Sequence, residues 1–569
     1  MIGLLPFLLV GAAATAAPAP LLTRLDKMAR ILAMEDARNP GDGELERDLA
    51  DPDRGVRRRA ALAAGRIGDD SLGPALLRLL SDPEAEVRQM AAFSLGLLAD
   101  KRASDALVAA LKDPEAVVRA RAAEALGRIG DAAVAPALAA LVVETIPKEA
   151  TVLTVRGDDP GSARDPWLPQ RLALFALVRL KDVPAAETAL LSAGRPRFDW
   201  WAATWAAMRL EAPALRPVLV AAASSSDPLS RALAARGLGA LKDPAALDVV
   251  APLLRDRDQQ VAVNALRAVG AIGDPRGVGM VAPGLRSPDP VLVWESLKAL
   301  AQLPPDRTLR ATVVNLVGHD QPWIRAAALP VLARMDREEF ALVLSGLDPD
   351  PAWWVRAALA AALGAAGDDV SLGILYGMLR DPDPRVVPAV LEALRKARGP
   401  DSLDTLRRML ESPDFAVRAA AAEGLTELKA SGQSDVLAAA YQRSQPDADL
   451  DARLALVAAL AAQKDTRALD TLRTAAAPPR CARRGRTRRG RGGSPCRGRP
   501  STTGRPWPST IPGRTPSSTR PARSSTRATA ASRSISTSST RRSPPPTSST
   551  SPGAATTTAS RSTASCPAS

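Results

Sequence analysis

Three segments of this chain align without gaps at a period of 31 residues. They open at Asp51-Pro52, Asp82-Pro83 and Asp113-Pro114 and continue with Val56-Arg57, Val87-Arg88 and Val118-Arg119. Gly65, Gly96 and Gly127 follow, then Asp69, Asp100 and Asp131. The lattice returns at Ser225, Asp256, Ser287, His319, Asp350, Asp381 and Ser412, spaced 31 or 32 apart, and a further unit carries Asp447, Arg453 and Asp465. A fixed period of this length is the signature of a stacked array, in which each unit buries its apolar face only against its neighbours.

Each unit reads as two helices. Leu72, Ala75, Leu76, Leu79 and Leu80 trace one buried helical face, and Val87, Ala91, Leu95 and Leu98 trace a second. Between them Asp82 is expected to cap the second helix, with Pro83 at its first helical position and Glu84 and Glu86 at its positive end. Ala, Leu and Val carry the apolar share of 46%, against only 3% aromatics, which suits closely packed helices.

The Asp-Pro-x-x-x-Val-Arg run followed by Ala-Ala-x-x-Leu-Gly resembles HEAT repeats of the short bacterial type, also called PBS-lyase-like repeats, over roughly residues 44–475. The resemblance implies an all-α fold, an α-solenoid of tandem helical hairpins, with a concave face that takes a protein or peptide partner. It also implies that the Asp and the Arg six residues later form a structural ladder between repeats. That role falls to Asp51 and Arg57, Asp82 and Arg88, Asp113 and Arg119, and Asp350 and Arg356.

Charge bears on the partner. Of the 75 basic residues, 18 lie from Ala476 to Ser569, and none of the 61 acidic ones do, so the preceding part holds 57 basic against 61 acidic groups. The overall +14 therefore belongs to the tail, and the body offers no basic surface for nucleic acid. Cys481, Cys496 and Cys566 also lie in the tail, which leaves the body without a disulfide framework or a thiolate metal site. His319 is the only histidine, at the position that Asp350 takes one repeat later, so a capping or solvated role is expected. One histidine cannot supply the His-Glu pairs of a HEAT-type di-iron hydroxylase, and neither a Ser-His-Asp set nor a phosphate-binding loop is present. No catalytic residue, metal site or cofactor is assigned. The rivals are a bilin-lyase-type enzyme and a nucleic-acid-binding HEAT protein.

The chain divides into a secretory-type leader over 1–20, repeats over 21–143, degenerate repeats with an inserted loop or short hairpin over 144–224, repeats over 225–477 and an Arg/Ser/Thr/Pro-rich tail over 478–569. The leader reading rests on apolar Ile2–Val10 and the small residues Gly11–Ala19, with Ala14-Thr15-Ala16 as a cleavage site. It implies an exported protein with no spanning segment in the mature chain, although the first basic residue is only Arg24. A frayed N-terminus or a misplaced start codon is the alternative. Near the insertion, Phe198, Trp201 and Trp205 share a helical face and are expected in the core, while Trp200 points elsewhere as a partner contact. Trp323 and Trp354 share one repeat phase and form a second candidate contact, with first-turn packing as the alternative.

From Pro478 onward the chain has no Leu, Val, Phe, Met or Tyr, a composition that cannot build a core. Ser and Thr codons read two bases later become codons for Phe, Leu, Ile, Val, Tyr, His, Asn and Asp. Shifted in this way, Thr547–Pro567 and Ser532–Ser538 give strings that resemble the start of a cyclophilin-type peptidyl-prolyl isomerase. Arg480-Cys481-Ala482 likewise gives the repeat's own Val-Arg where a further unit is due. The alternative function is thus the substrate-binding half of an isomerase whose catalytic domain is lost from this frame. As written, the chain carries no isomerase residues.

Overall fold

The computed structural model describes residues 23–144, 153–154, 165–346, 348–399 and 401–476. The leader, the tail and its shifted-frame strings lie outside the described residues. Contacts divide the chain into Met1–Arg480 and Cys481–Ser569, and all described residues belong to the first unit.

That unit is all-α, with 28 α-helices among the described residues. Long helices alternate with short ones. The long ones stack side by side, each on the next, beginning with Arg24–Ala37, Arg54–Ile67, Ala85–Leu98 and Ala116–Ile129 and ending with Phe415–Glu427 and Asp451–Gln463. Short helices such as Gly73–Leu79 and Ser104–Ala110 pack against the long helix that follows. No described helix is long and apolar enough to cross a membrane.

One unit shows why the sequence folds this way. Asp82, Pro83 and Glu84 make the turn, and Ala85–Leu98 is the long helix. Val87, Ala91 and Leu95 on this helix are essentially fully buried. The helix ends at Ala99 in the left-handed region, and Asp100 accepts the Arg102 N–H to start a short 3-10 turn. Asp69 and Asp131 repeat that bond with Ser71 and Ala133. The lattice glycines have a packing cause. A Cβ on Gly96 would sit 2.6 Å from the Ala125 Cα, so the two long helices approach at backbone distance, and Gly127 meets Ala176 in the same way.

Asp82 is not the helix cap. The cap position is Glu84, with no side-chain bond, and Pro83 precedes the helix. The helix starts at Ala85, three residues beyond Asp82, so the Asp82 carboxylate instead accepts the Glu84 N–H at 2.9 Å and receives Arg57 of the preceding repeat.

The described part of 144–224 keeps its stacking from Asp165 on. Leu168–Leu180, Val183–Leu190, Trp201–Leu210 and Arg216–Ala222 are all helical. Asp165 reopens the lattice after the insertion, since its carboxylate accepts the Trp167 N–H at 2.9 Å and pairs with Arg171. The inserted loop or short hairpin falls mostly outside the described residues, and a separate hairpin follows it: Leu191–Ser192 pairs antiparallel with Arg195–Pro196 across Ala193-Gly194, both at positive φ. Leu153–Thr154, from the insertion, pairs parallel with Phe198–Asp199. At the far end, Thr466–Ala468 is a 3-10 turn, and the α-helix starts at Leu469, which is 43% exposed.

Candidate functional site

Asp-Pro turns follow one another along the array, and a charge ladder runs through them. Arg57 donates from Nε and Nη2 to the Asp82 carboxylate at 2.7 and 3.0 Å. Arg88 does the same to Asp113 at 2.7 and 3.0 Å. Arg231 to Asp256, Arg325 to Asp350 and Arg356 to Asp381 repeat the geometry. Each bidentate pair joins one repeat to the next.

Within a repeat, the Asp and the Arg six residues later meet differently from the carboxylate pairing the spacing invites. The Arg donates Nη1 to the aspartate's main-chain carbonyl: Arg57 to Asp51 at 2.9 Å, Arg88 to Asp82 at 2.9 Å, Arg119 to Asp113 at 2.7 Å and Arg356 to Asp350 at 2.6 Å. A second bond reaches the following proline carbonyl. One guanidinium thus closes its own turn and clamps the next, which its rigid planar fork allows and a lysine would not. At the start of the array Lys27 takes the arginine's place on Asp51, at 2.5 Å. Among the described residues Arg119 makes no carboxylate rung: the next lattice Asp is displaced to Asp165, which pairs with its own Arg171.

Burial alone would raise the Asp82 carboxyl. The bonds from Arg57 and the Glu84 amide, with the charges of Arg57 and Arg88, outweigh it and hold the group below the ordinary carboxylate range. Asp113 and Asp350 are lowered by the same balance. At Asp381 the Arg356 hydrogen bond is the largest influence, and the net direction is again down. These groups are ionised near neutrality and engaged by the ladder, with no proton to exchange there. Where the lattice has other residues, the turn survives: His319 Nδ1 accepts the Gln321 N–H at 3.0 Å, and Ser412 Oγ accepts that of Asp414. Among the described residues no three His, Cys, Asp or Glu side chains group to hold a metal.

The tryptophans divide. Trp200 is 1% exposed and is the most buried of the described ones, packed among Trp167, Phe198 and Trp201 with ring centroids 5.9–6.4 Å apart, so it is no partner contact. It precedes the helix in an extended conformation (φ −154°), so helical phase does not govern where it points. Phe198 is buried with it, while Trp201 and Trp205 are half-buried against Phe175. Trp323 is half-buried, edge-on to Trp294, and its indole N–H donates to Gln321. Trp354 is 45% exposed and lies edge-on to Trp353, whose other neighbour is the Arg385 guanidinium at 4.6 Å. Lys298 sits 4.3 Å over Trp294. Phe93, half-buried on an earlier long helix, meets Arg121 and Arg128 at 5.4 and 5.6 Å. The row of long helices therefore presents aromatic rings beside cations.

Sequence reading missed the direction of the ladder and three polar links. Arg418, 1% exposed, bonds Ser444, Asp447 and the Ser412 carbonyl. Arg267 grips the buried Glu295 from the preceding long helix, and Asp165 holds Arg171. The 25-residue interval from Arg57 to Asp82 recurs in the sequence and was the available signal for the ladder.

A family model described as HEAT repeats matches residues 73–151, 183–261, 216–279, 250–333, 280–363 and 340–426, more than half of the chain. No curated protein sequence matches. Among solved structures, the array resembles Kap121p (13% identity, 76% of this chain and 57% of that one, TM-score 0.46). It also resembles a chain in a complex described as Kap95p bound to RanGDP (14%, 78% and 70%, TM-score 0.47). A third is the complex of CpcE and CpcF of phycocyanin lyase from Nostoc sp. PCC7120 (20%, 57% and 97%, TM-score 0.24). The chain spans little more than half of Kap121p. Likeness at this level transfers neither partner nor activity.

Proposed function

The chain belongs to the HEAT-repeat family, and from that premise we propose that it is a non-catalytic scaffold that holds a protein or peptide partner on the concave side of its array. What supports this most is the division of its polar chemistry. The ionised groups of the ladder are spent on one another between repeats. The long helices carry half-buried rings with flanking cations at Phe93, Trp294 and Trp353, and the half-exposed Trp354. Rings and arginines of this kind are what protein interfaces concentrate at their centres. The near-neutral charge of the body supports a protein partner over nucleic acid.

The test is site-specific photo-crosslinking in the cells that make the protein. A photo-reactive phenylalanine analogue at Trp354 or Phe93 is expected to give one recurring adduct. The same group at Glu187, exposed on the short helix Val183–Leu190, is expected to give none. Equal labelling from all three positions, or no adduct at Trp354 and Phe93, would sink the scaffold reading.

The same proposal places the protein outside the cytoplasm, on the apolar Ile2–Val10 run, and N-terminal sequencing of the mature chain checks it. The isomerase alternative is carried only by the shifted-frame strings after Thr471. Resequencing the codons for Thr471–Arg489 decides it, because an in-frame reading there removes its basis.

A further inference from the structure

Five consecutive long helices, Leu168–Leu180, Trp201–Leu210, Pro228–Leu241, Gln259–Ile272 and Pro290–Leu300, each present one exposed cation. In order these are Arg179, Arg209, Arg236, Arg267 and Lys298. Glu295 is the only carboxylate on the five helices, and it is buried and held by Arg267. Arg179, Arg209 and Arg236 make no ion pair among the described residues. The long helices on either side do not continue the pattern. Glu124 of Ala116–Ile129 pairs with both Arg121 and Arg128, and Arg334 of Pro322–Met335 donates to the Ala301 and Leu303 carbonyls.

Packing fixes where these cations stand. Gly239 closes on Ala268 and Gly270 on Ala299, so Arg267 and Lys298, each one residue earlier, hold one phase of the row. Arg236 holds it 31 residues before Arg267. Gly127 closes on Ala176 in the same way, which gives Phe175 that phase, and Trp205 meets Phe175 edge-on at 4.5 Å. Arg179 and Arg209 follow these two rings by four residues, one helical turn or about 5.4 Å further along. Lys298 follows Trp294 by the same interval and lies over its ring. The cations thus form a stripe about one turn wide, with half-buried rings set into it. At the helix ends beside it Lys181 and Lys242 add to its sign, and Glu211 subtracts one charge. The aspartates of those turns are spent: Asp182 caps a helix, Asp243 pairs with Arg216 and Asp274 with Arg276. The near-neutral total of the body conceals the stripe, because every other acidic residue from 168 to 300 lies outside the long helices.

We propose that this stripe receives an extended acidic segment of the protein partner, with a carboxylate at about every third residue and apolar side chains between. Packed helices lie ~8–10 Å apart and an extended chain rises ~3.3 Å per residue, so three residues span one step of the row. Five cations then match a segment of about thirteen residues. Its carboxylates pair with the cations, and the side chains between them lie against the rings. Charge density favours such a segment over nucleic acid, since duplex DNA carries one charge per ~1.7 Å of axis and the row offers one cation per ~8–10 Å. The proposal rests on the scaffold reading and names the chemistry of the partner.

The probe is a fluorescein-labelled peptide of four Glu-Thr-Val units closed by a Glu, titrated against the full chain by fluorescence anisotropy. A second peptide has Gln for every Glu, and an oligothymidylate of similar length is the third probe. The Arg-rich tail adds the same background to every variant, so two triple substitutions are compared. Arg179→Gln, Arg209→Gln and Arg236→Gln together are expected to weaken the Glu peptide about tenfold. Arg195→Gln, Arg255→Gln and Arg257→Gln remove three exposed arginines that lie off the long helices, and should change it by less than about twofold. All six side chains are exposed, so both variants are expected to keep the native melting temperature. The Gln peptide should bind the native chain at least about tenfold more weakly than the Glu peptide. Equal effects of the two triples, or equal binding of the two peptides, overturns the proposal. A larger loss for the oligothymidylate than for the Glu peptide in the first triple also overturns it and assigns the stripe to nucleic acid. Adducts at Trp354 that persist while the two triples behave alike would leave the scaffold reading standing while the stripe falls.

Discussion

Asp82 has two duties that a capping aspartate would not have. It closes its own turn through the Glu84 N–H and receives the Arg57 fork from the repeat before. Asp82→Ala therefore leaves a mostly buried guanidinium without its anion, a larger loss than a missing cap. We expect it to cost about 2–4 kcal/mol, between the range for exposed pairs and that for buried ones. Chemical denaturation of the variant measures this, and a loss below that of a simple cap would mean the fork is solvated. Acid should act on every rung together. Asp82, Asp113, Asp256, Asp350 and Asp381 are each more acidic folded than their ordinary value of 3.8. Their contribution is complete above the unfolded value and is lost as pH falls through the lower folded values. Melting temperature should be flat from neutrality to about pH 5 and drop below about pH 4. A rise on acidification would contradict the ladder's sign. The sequence showed which residues recur, but the pairing was not legible from one repeat, because each Arg reaches a carboxylate 25 residues ahead. Trp200 misled for a different reason: helical phase was applied to a residue that precedes its helix in an extended conformation.

Among elements, the long helices are set by the distance at which they touch. Gly96 lies where Ala125 presses, and an added Cβ would meet that residue's Cα at 2.6 Å and its Cβ at 2.8 Å. Both contacts are backbone or rigid side chain, so the helices Ala85–Leu98 and Ala116–Ile129 must separate to admit it. Gly96→Ala should destabilise by about 1–3 kcal/mol despite alanine's better helix propensity. Gly373, inside Asp369–Met378, has nothing within 4 Å of its would-be Cβ, and Gly373→Ala should stabilise by about 0.5–1 kcal/mol. Equal effects of the two substitutions would show that close approach is not what fixes the long-helix row. The alternation of helices was readable from apolar periodicity alone, down to the buried face of Val87, Ala91 and Leu95. The insertion was not readable in this way. It disguised the repeat at Asp165 by moving it off the 31-residue grid, although the Asp-Pro start and the Arg six residues on were intact.

Over the array as a whole, the contacts that cross a repeat boundary each join a repeat to its immediate neighbour. The rungs span one interval, the Gly–Ala contacts span one interval, and the long helices stack each on the next. Stability in such a chain is a sum of local terms and nearest-neighbour couplings, so a defect should spread a limited distance. Arg57→Ala, which removes the clamp on Asp82, is expected to raise amide hydrogen exchange in Arg54–Ile67 and Ala85–Leu98. Exchange in Trp353–Ala366 and Phe415–Glu427, many repeats away, should stay unchanged. Exchange measured by mass spectrometry under native conditions reads both regions at once. Equal deprotection at the two ends would mean that the unit unfolds as a single cooperative body, and a local chain of couplings would then be the wrong description.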